Sequence, residues 1–163
     1  MRLFGKLFGK GSGAERVVVS PVAGISVPLE ETGDPAFAGG NLGRGLGINP
    51  ATNTVCAPVA GTVIATIDTW HALGILSDDG AEVLVHVGID TVKMGGDGFT
   101  GHVEKGQRVA PGEPLVTFDR EKIAAAGYSD IVIMTVTNSD EFPGLAVSAG
   151  GPVQAGDAVI TLG

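Results

Sequence analysis

The chain has 163 residues, 44% of them hydrophobic, with 27 glycines and 9 prolines. That length suits one domain able to bury about two-thirds of its surface without disulfides, and the apolar content excludes a disordered chain. Eighteen acidic against ten basic residues leave a net charge of −8, which excludes a nucleic-acid-binding body. The lone Cys56 excludes an intrachain disulfide and fits a reducing compartment.

The first sixteen residues differ from the rest. Arg2, Lys6, Lys10 and Arg16 against Glu15 give this stretch a net charge of +3. Leu3, Phe4, Leu7 and Phe8 recur at helical spacing opposite the basic residues, which predicts a short amphipathic helix making weak peripheral contact with an anionic membrane through residues 1–10. Gly5 and Gly9 weaken that helix in water, and Gly11-Ser12-Gly13 reads as a flexible link. Residues 1–16 are therefore expected to be a tail and 17–163 the folded domain. No secretory signal is visible. Residues 45–67 carry no charge, but their prolines and glycines exclude a membrane span.

From Val17 onward short apolar runs alternate with turn signals. Strands are predicted at 17–19, 25–27, from 55, at 59–67, 72–76, 82–87, 114–118, 131–137 and 158–162. In 59–67 the alternation puts Val59, Gly61, Val63, Ala65 and Ile67 on one face. Residues 30–41 read as loop, with Asp34-Pro35 and Gly39-Gly40 as turns, and Gly45–Pro50 as a glycine loop. Ser77-Asp78-Asp79-Gly80 predicts a hairpin turn. One short helix is expected around Arg120–Ala126, stopped by Gly127. Two echoes suggest internal pseudo-duplication. Pro21-Val-Ala-Gly24 returns as Pro58-Val-Ala-Gly61, 37 residues on, and Val109–Phe118 parallels Val153–Leu162 at an offset of 44. The expected fold is an all-β, single-domain antiparallel β sandwich with very little helix.

Three histidines restrict where neutral-pH chemistry can occur. In the strand 82–87, Leu84 and His86 share one face and Val83, Val85 and Val87 the other, so a valine core would present His86 outward, with Gly88 leaving open room beside it. His71 lies at the entry of the preceding strand. The turn at 77–80 would let two antiparallel strands bring His71 and His86 side by side. Such a pair can hold a metal, share a proton or pass a phosphoryl group, with Thr69 available to orient His71. His102 lies in a polar turn, and Cys56 reads as a small buried residue.

Four blocks carry a resemblance beyond periodicity: Ser20-Pro-Val-Ala-Gly24; Gly45-Leu-Gly-Ile-Asn-Pro50 leading to Ala57-Pro-Val-Ala-Gly-Thr62; Thr69-Trp-His-Ala72; and Val85-His-Val-Gly-Ile-Asp-Thr-Val92. Gly98-Phe99 and Gly106-Gln-Arg-Val109 extend it. Over Val17–Leu162 the chain resembles the glucose-family IIA domain of the phosphoenolpyruvate-dependent sugar phosphotransferase system.

The resemblance implies a β sandwich in which His86 accepts a phosphoryl group on Nε2, His71 supports transfer and Thr69 orients His71. It further implies a partner-binding surface of Asp34, Phe37, Trp70, Leu73, Val87 and Asp90, with no cofactor and no metal. The implied donor is a histidine phosphocarrier protein and the implied acceptor a cysteine of a IIB domain of a sugar permease. Regulated transporters or kinases are further implied partners, and the cytoplasm, peripheral to the inner face of the membrane, is the implied place. The tail favours a separate protein over a domain of a larger permease. Trp70 and Leu73 stand where the family commonly has Asn and Phe, a departure expected to alter partner preference. Two other readings compete: a zinc hydrolase, which needs a third ligand and a general base and for which the extra histidine expected near His86 is absent, and a binding module that accepts no phosphoryl group.

Overall fold

The computed structural model describes residues 16–163; apart from Arg16, the expected amphipathic tail and its membrane contact lie outside them. In chain order the strands are β1 (Val17–Val19), β2 (Gly24–Pro28), β3 (Arg44–Pro50), β4 (Thr54–Cys56) and β5 (Gly61–Thr66), then the hairpin of β6 (Ala72–Ser77) and β7 (Glu82–Val87). There follow β8 (Phe99–Gly101), β9 (Arg108–Val109), β10 (Pro114–Phe118), β11 (Val132–Val136), β12 (Ala146–Val147), β13 (Gly151–Val153) and β14 (Ala158–Thr161). Among the described residues two α-helices accompany them, α1 (Pro35–Ala38) and α2 (Arg120–Ala125). As predicted, α2 stops short of Gly127, whose φ of 88° a side chain would oppose. No described helix is long and apolar enough to cross a membrane.

An eight-stranded sheet in the order β9-β5-β6-β7-β11-β3-β2-β13 faces two three-stranded sheets, β4-β10-β8 and β12-β14-β1. All pairings are antiparallel. One apolar cluster joins the layers, taking Leu46, Ile48, Val63, Ile75, Val85 and Met134 from the large sheet and Val18, Val55, Leu115, Phe118 and Ile160 from the small ones. Each such side chain contributes about 1.5–3 kcal/mol by leaving water, which makes this face of the large sheet the stabilising one.

The two echoes correspond to two equivalent corners. β1 crosses through Pro21–Gly24 into β2 beside the β13 edge, and β4 crosses through Pro58–Gly61 into β5 beside the β9 edge. Their hydrogen bonds reciprocate: Val19 N–H donates to Pro58 O at 2.9 Å and Cys56 N–H to Pro21 O at 2.8 Å. The later echo completes each corner, with Ser20 N–H donating to Asp157 O at 2.7 Å and Ala57 N–H to Glu113 O at 2.8 Å. In every case the partner lies 37 or 44 residues from its counterpart, so the repeats are matching corner hydrogen-bond sets.

Two expectations are corrected. Gly45–Pro50 is a strand, because β3 threads its glycines between packed neighbours: a Cβ on Gly45 would strike the Met134 carbonyl, and one on Gly47 would strike Thr32 and Ile131. The alternation predicted over 59–67 is broken by a bulge between Val63 and Ala65. Val63 stays buried while Ala65 and Ile67 emerge on the other side.

Candidate functional site

The opposite face of the large sheet carries the histidines. β7 is flanked on both sides, with Ala72 of β6 and Ile133 of β11 as the register partners of His86. Its alternation runs as the sequence implies: Val83, Val85 and Val87 enter the main core while Leu84 and His86 face away from it. The 77–80 turn is closed by Ser77 N–H donating to Ala81 O at 2.8 Å and Gly80 N–H to Ser77 O at 3.0 Å. Ala81 N–H also donates to Ser77 Oγ at 2.9 Å. Both strands are thereby held before any partner arrives.

A second, smaller apolar cluster of Leu29, Phe37, Ile131 and Ile133, joined by Val27, Leu84 and Ile89, covers part of this face. Phe37 reaches it through the sequence Asp34-Pro35: the Asp34 carboxylate accepts from Ala36 N–H at 3.0 Å and Pro35 occupies the first turn of α1. The Phe37 ring then lies 5.2 Å from that of His86, inclined at 59°. The His71 ring stands edge-on to His86, centroids 5.1 Å apart and planes at 85°. Thr69 Oγ1 and His71 Nδ1 are 2.6 Å apart, so the hydroxyl and the ring share a hydrogen bond.

Burial dominates the electrostatics. It lowers the pKa of His86, while the Gly88 backbone and the Asp34 carboxylate oppose the shift in smaller measure. It lowers His71 as well, helped by repulsion from His86. Both rings are therefore biased to the neutral form near pH 7. His86 Nδ1 is buried without a partner in hydrogen-bond geometry, which leaves its other nitrogen as the chemically available one. Among the described residues no group of three His, Cys, Asp or Glu side chains is placed to hold a metal ion.

The structure brings Thr69, His71, His86, Phe37 and Asp34 together, with Asp90 exposed just beyond β7. It separates others. Leu73 and Val87, expected on the docking surface, are only 3% and 0% exposed, because strand alternation turns both into the main core. Phe37 is 3% exposed and packs beside His86, so it walls the site and offers no outward face. Gly88 leaves no open space either: its φ is 82°, and a Cβ there would overlap Thr91, whose hydroxyl donates to Val87 O. Trp70 is half-buried against the main core.

Leu84, Ile67 and Val92 are among the apolar side chains that reach solvent on the same strand face or on the flanking turns. Only Leu84 had a legible signal, its spacing of two from His86. Ile67 and Val92 follow a bulge and a turn that the pattern does not reveal. His102 lies elsewhere, with Nε2 2.6 Å from Thr117 Oγ1.

The model of the family described as "phosphoenolpyruvate-dependent sugar phosphotransferase system, EIIA 1" matches residues 16–142. The chain is 44% identical over 150 residues to a PTS system beta-glucoside-specific EIIBCA component of Bacillus subtilis, covering 92% of this chain and 25% of that protein. It is 41% identical over 149 residues to a PTS system glucose-specific EIIA component of Bacillus cereus, covering 91% of this chain and 90% of that one. Among solved structures, glucose permease IIA from Mycoplasma capricolum superposes with a TM-score of 0.82 at 34% identity, over 93% of this chain and 97% of that one. The chain thus spans a quarter of the length of the Bacillus subtilis relative and nearly all of the Bacillus cereus one.

Proposed function

The chain belongs to the EIIA 1 family of the phosphoenolpyruvate-dependent sugar phosphotransferase system, and we propose that it is a relay in which His86 Nε2 carries the phosphoryl group. The observation that supports this most is the edge-on contact of His71 with His86, made while Thr69 engages the far nitrogen of His71. When the Thr69 hydroxyl donates to Nδ1, the neutral His71 ring keeps its proton on Nε2, ready to donate to a phosphoryl oxygen. His86 needs the complementary tautomer, with a lone pair on Nε2 and its proton on Nδ1.

In the accepting step the N–P bond of a phosphohistidine on the carrier protein breaks and its electron pair returns to the carrier's imidazole as the His86 Nε2–P bond forms. In the donating step that bond breaks as a cysteine thiolate of a IIB domain forms an S–P bond, and His86 regains its lone pair. Little covalent chemistry falls to the surroundings, so positioning and charge stabilisation carry the rate. A sheet position hydrogen-bonded on both sides suits that demand. Asp34, Asp90, Leu84, Ile67 and Val92 form the contact rim in this reading, while Phe37, Trp70, Leu73 and Val87 act from beneath it.

Residues 17–163 carry the transfer domain and residues 1–16 a basic tail making weak membrane contact; in this reading the protein works in the cytoplasm, peripheral to the inner face. The unphosphorylated and phosphorylated forms offer different charge to regulated transporters or kinases at the same face. Incubation with phosphoenolpyruvate, the general phosphotransferase enzyme and the carrier adds one acid-labile phosphoryl group to the wild type and none to His86→Ala. His71→Gln folds and accepts slowly but passes the group on poorly. Normal labelling of His86→Ala, or wild-type rates in both directions for His71→Gln, overturns the respective assignment.

A further inference from the structure

The sheet register does not by itself bring the two imidazoles together. Ala72, not His71, is the partner of His86, and the last rung is Val87 N–H donating to His71 O at 2.6 Å. Continued alternation from Ile75 and Leu73, both in the core, assigns His71 to the Val87 side. Where its ring lies thus depends on how the chain enters β6, and that entry passes through an unusual residue.

Trp70 has φ of 56°, in the left-handed region, which a bulky side chain does not adopt without support. Its N–H closes a turn onto Ile67 O at 3.0 Å. The indole lies so close over Gly101 that a Cβ there would overlap three of its ring atoms. Gly101 does not have a positive φ, so its lack of a side chain serves room and not backbone conformation. Beside it, a Cβ on Gly96 would meet the Thr69 backbone at 3.5 Å. The segment from Gly96 through β8 to Gly101 is thus a seat shaped for the turn that precedes His71.

We infer that Trp70 is a positioning residue: its indole, seated on Gly101, holds the left-handed backbone that sets Thr69 against His71 Nδ1 and turns the His71 ring edge-on to His86. The transfer consequence rests on the relay reading above; the structural consequence does not. An asparagine at 70 would tolerate the left-handed backbone unaided, whereas tryptophan requires the seat.

The test combines variants with two readouts. Trp70 is the only tryptophan, so its emission reports the seat, and nitrogen NMR of the His71 ring reports its tautomer. Gly101→Ala unseats the indole, shifts the emission to the red, mixes the His71 tautomers and slows onward transfer roughly tenfold to a hundredfold. Trp70→Val, which carries no tryptophan emission, mixes the His71 tautomers and slows onward transfer as much or more, Trp70→Asn recovers most of that loss, and Gly101→Ala added to Trp70→Asn brings no further change. Unchanged His71 tautomer signals in Gly101→Ala overturn the inference, as does an equal loss from Gly101→Ala in the Trp70→Asn background. Should Gly101→Ala fail to fold, the pair Trp70→Val and Trp70→Asn decides, and equal His71 signals in both overturn it. A wild type that takes up no phosphoryl group ends the relay reading, while the NMR signals still decide the role of Trp70.

Discussion

The two faces of the eight-stranded sheet are made from the same strands and serve opposite ends. On one face Val83, Val85, Val87, Met134, Leu46 and Ile48 meet two further sheets and lose nearly all contact with water. On the other, α1 and the segment around Leu29 cover only part of the surface, and Leu84 and His86 keep some exposure. Sequential neighbours therefore have different tasks: on β11, Met134 pairs in register with Val85, and Ile133 with His86. The lesson is that a transfer site can be held as rigidly as a core while staying accessible, because its backbone belongs to a sheet whose other face supplies the stability.

Adjacent residues of β11 give the strongest way to break this comparison. Met134→Ala and Ile133→Ala each remove a side chain with no exposure, so each is expected to cost about 2–5 kcal/mol in denaturant unfolding. Met134→Ala, measured well below its unfolding midpoint, keeps the wild-type transfer rate, whereas Ile133→Ala slows acceptance by loosening the packing on the strand beside His86. Equal transfer losses in the two would erase the distinction between the faces.

Two glycines on the outer face sharpen it with a smaller effect. A Cβ on Gly47 would collide with Thr32 and Ile131, so Gly47→Ala overpacks the small cluster and is expected to cost about 1–3 kcal/mol. A Cβ on Gly74 would meet Ala65 and Ile64 at 3.6 and 3.7 Å, ordinary contact distances, so Gly74→Ala leaves the thermal midpoint near wild type. A matching drop in both midpoints would show that this part of the outer face is as tightly filled as the core.

The smallest effect is on pH dependence. Both histidines have pKa values lowered in the fold, chiefly by burial, so the unfolded chain binds more protons between those values and about 6.5. Stability is therefore complete above about pH 6.5 and falls as pH drops through that window, levelling off below the folded values. Urea midpoints between about pH 7.5 and 5 should decline more for wild type than for the His71→Gln, His86→Gln double variant. Acceptance should also persist to lower pH than an ordinary imidazole allows, since His86 stays neutral there.

Legibility differed by element for physical reasons. The hairpin of β6 and β7, the outward facing of His86 and the end of α2 were readable, because alternation and turn chemistry are local. β3 was not, since the glycines that weaken strand propensity are required there by the Met134 carbonyl and by Thr32, groups distant in sequence. The run that forms β11 hides its faces as well: from Ile131 to Val136 every residue is buried, so the partnership of Ile133 with His86 has no periodic signature. Gly88 was readable as special, but for the wrong cause, as its crowding by Thr91 appears only once the chain turns.

By itself the sequence determined an antiparallel β domain, its two repeated corners and the identity of the two histidines and the hydroxyl beside them, because these depend on residue type and short-range spacing. The tertiary structure decided which side chains remain in reach of a partner and how His71 comes to meet His86, because both depend on neighbours that folding brings in from far along the chain: Ile133 on the strand beside His86, and Gly101 beneath the tryptophan that precedes His71.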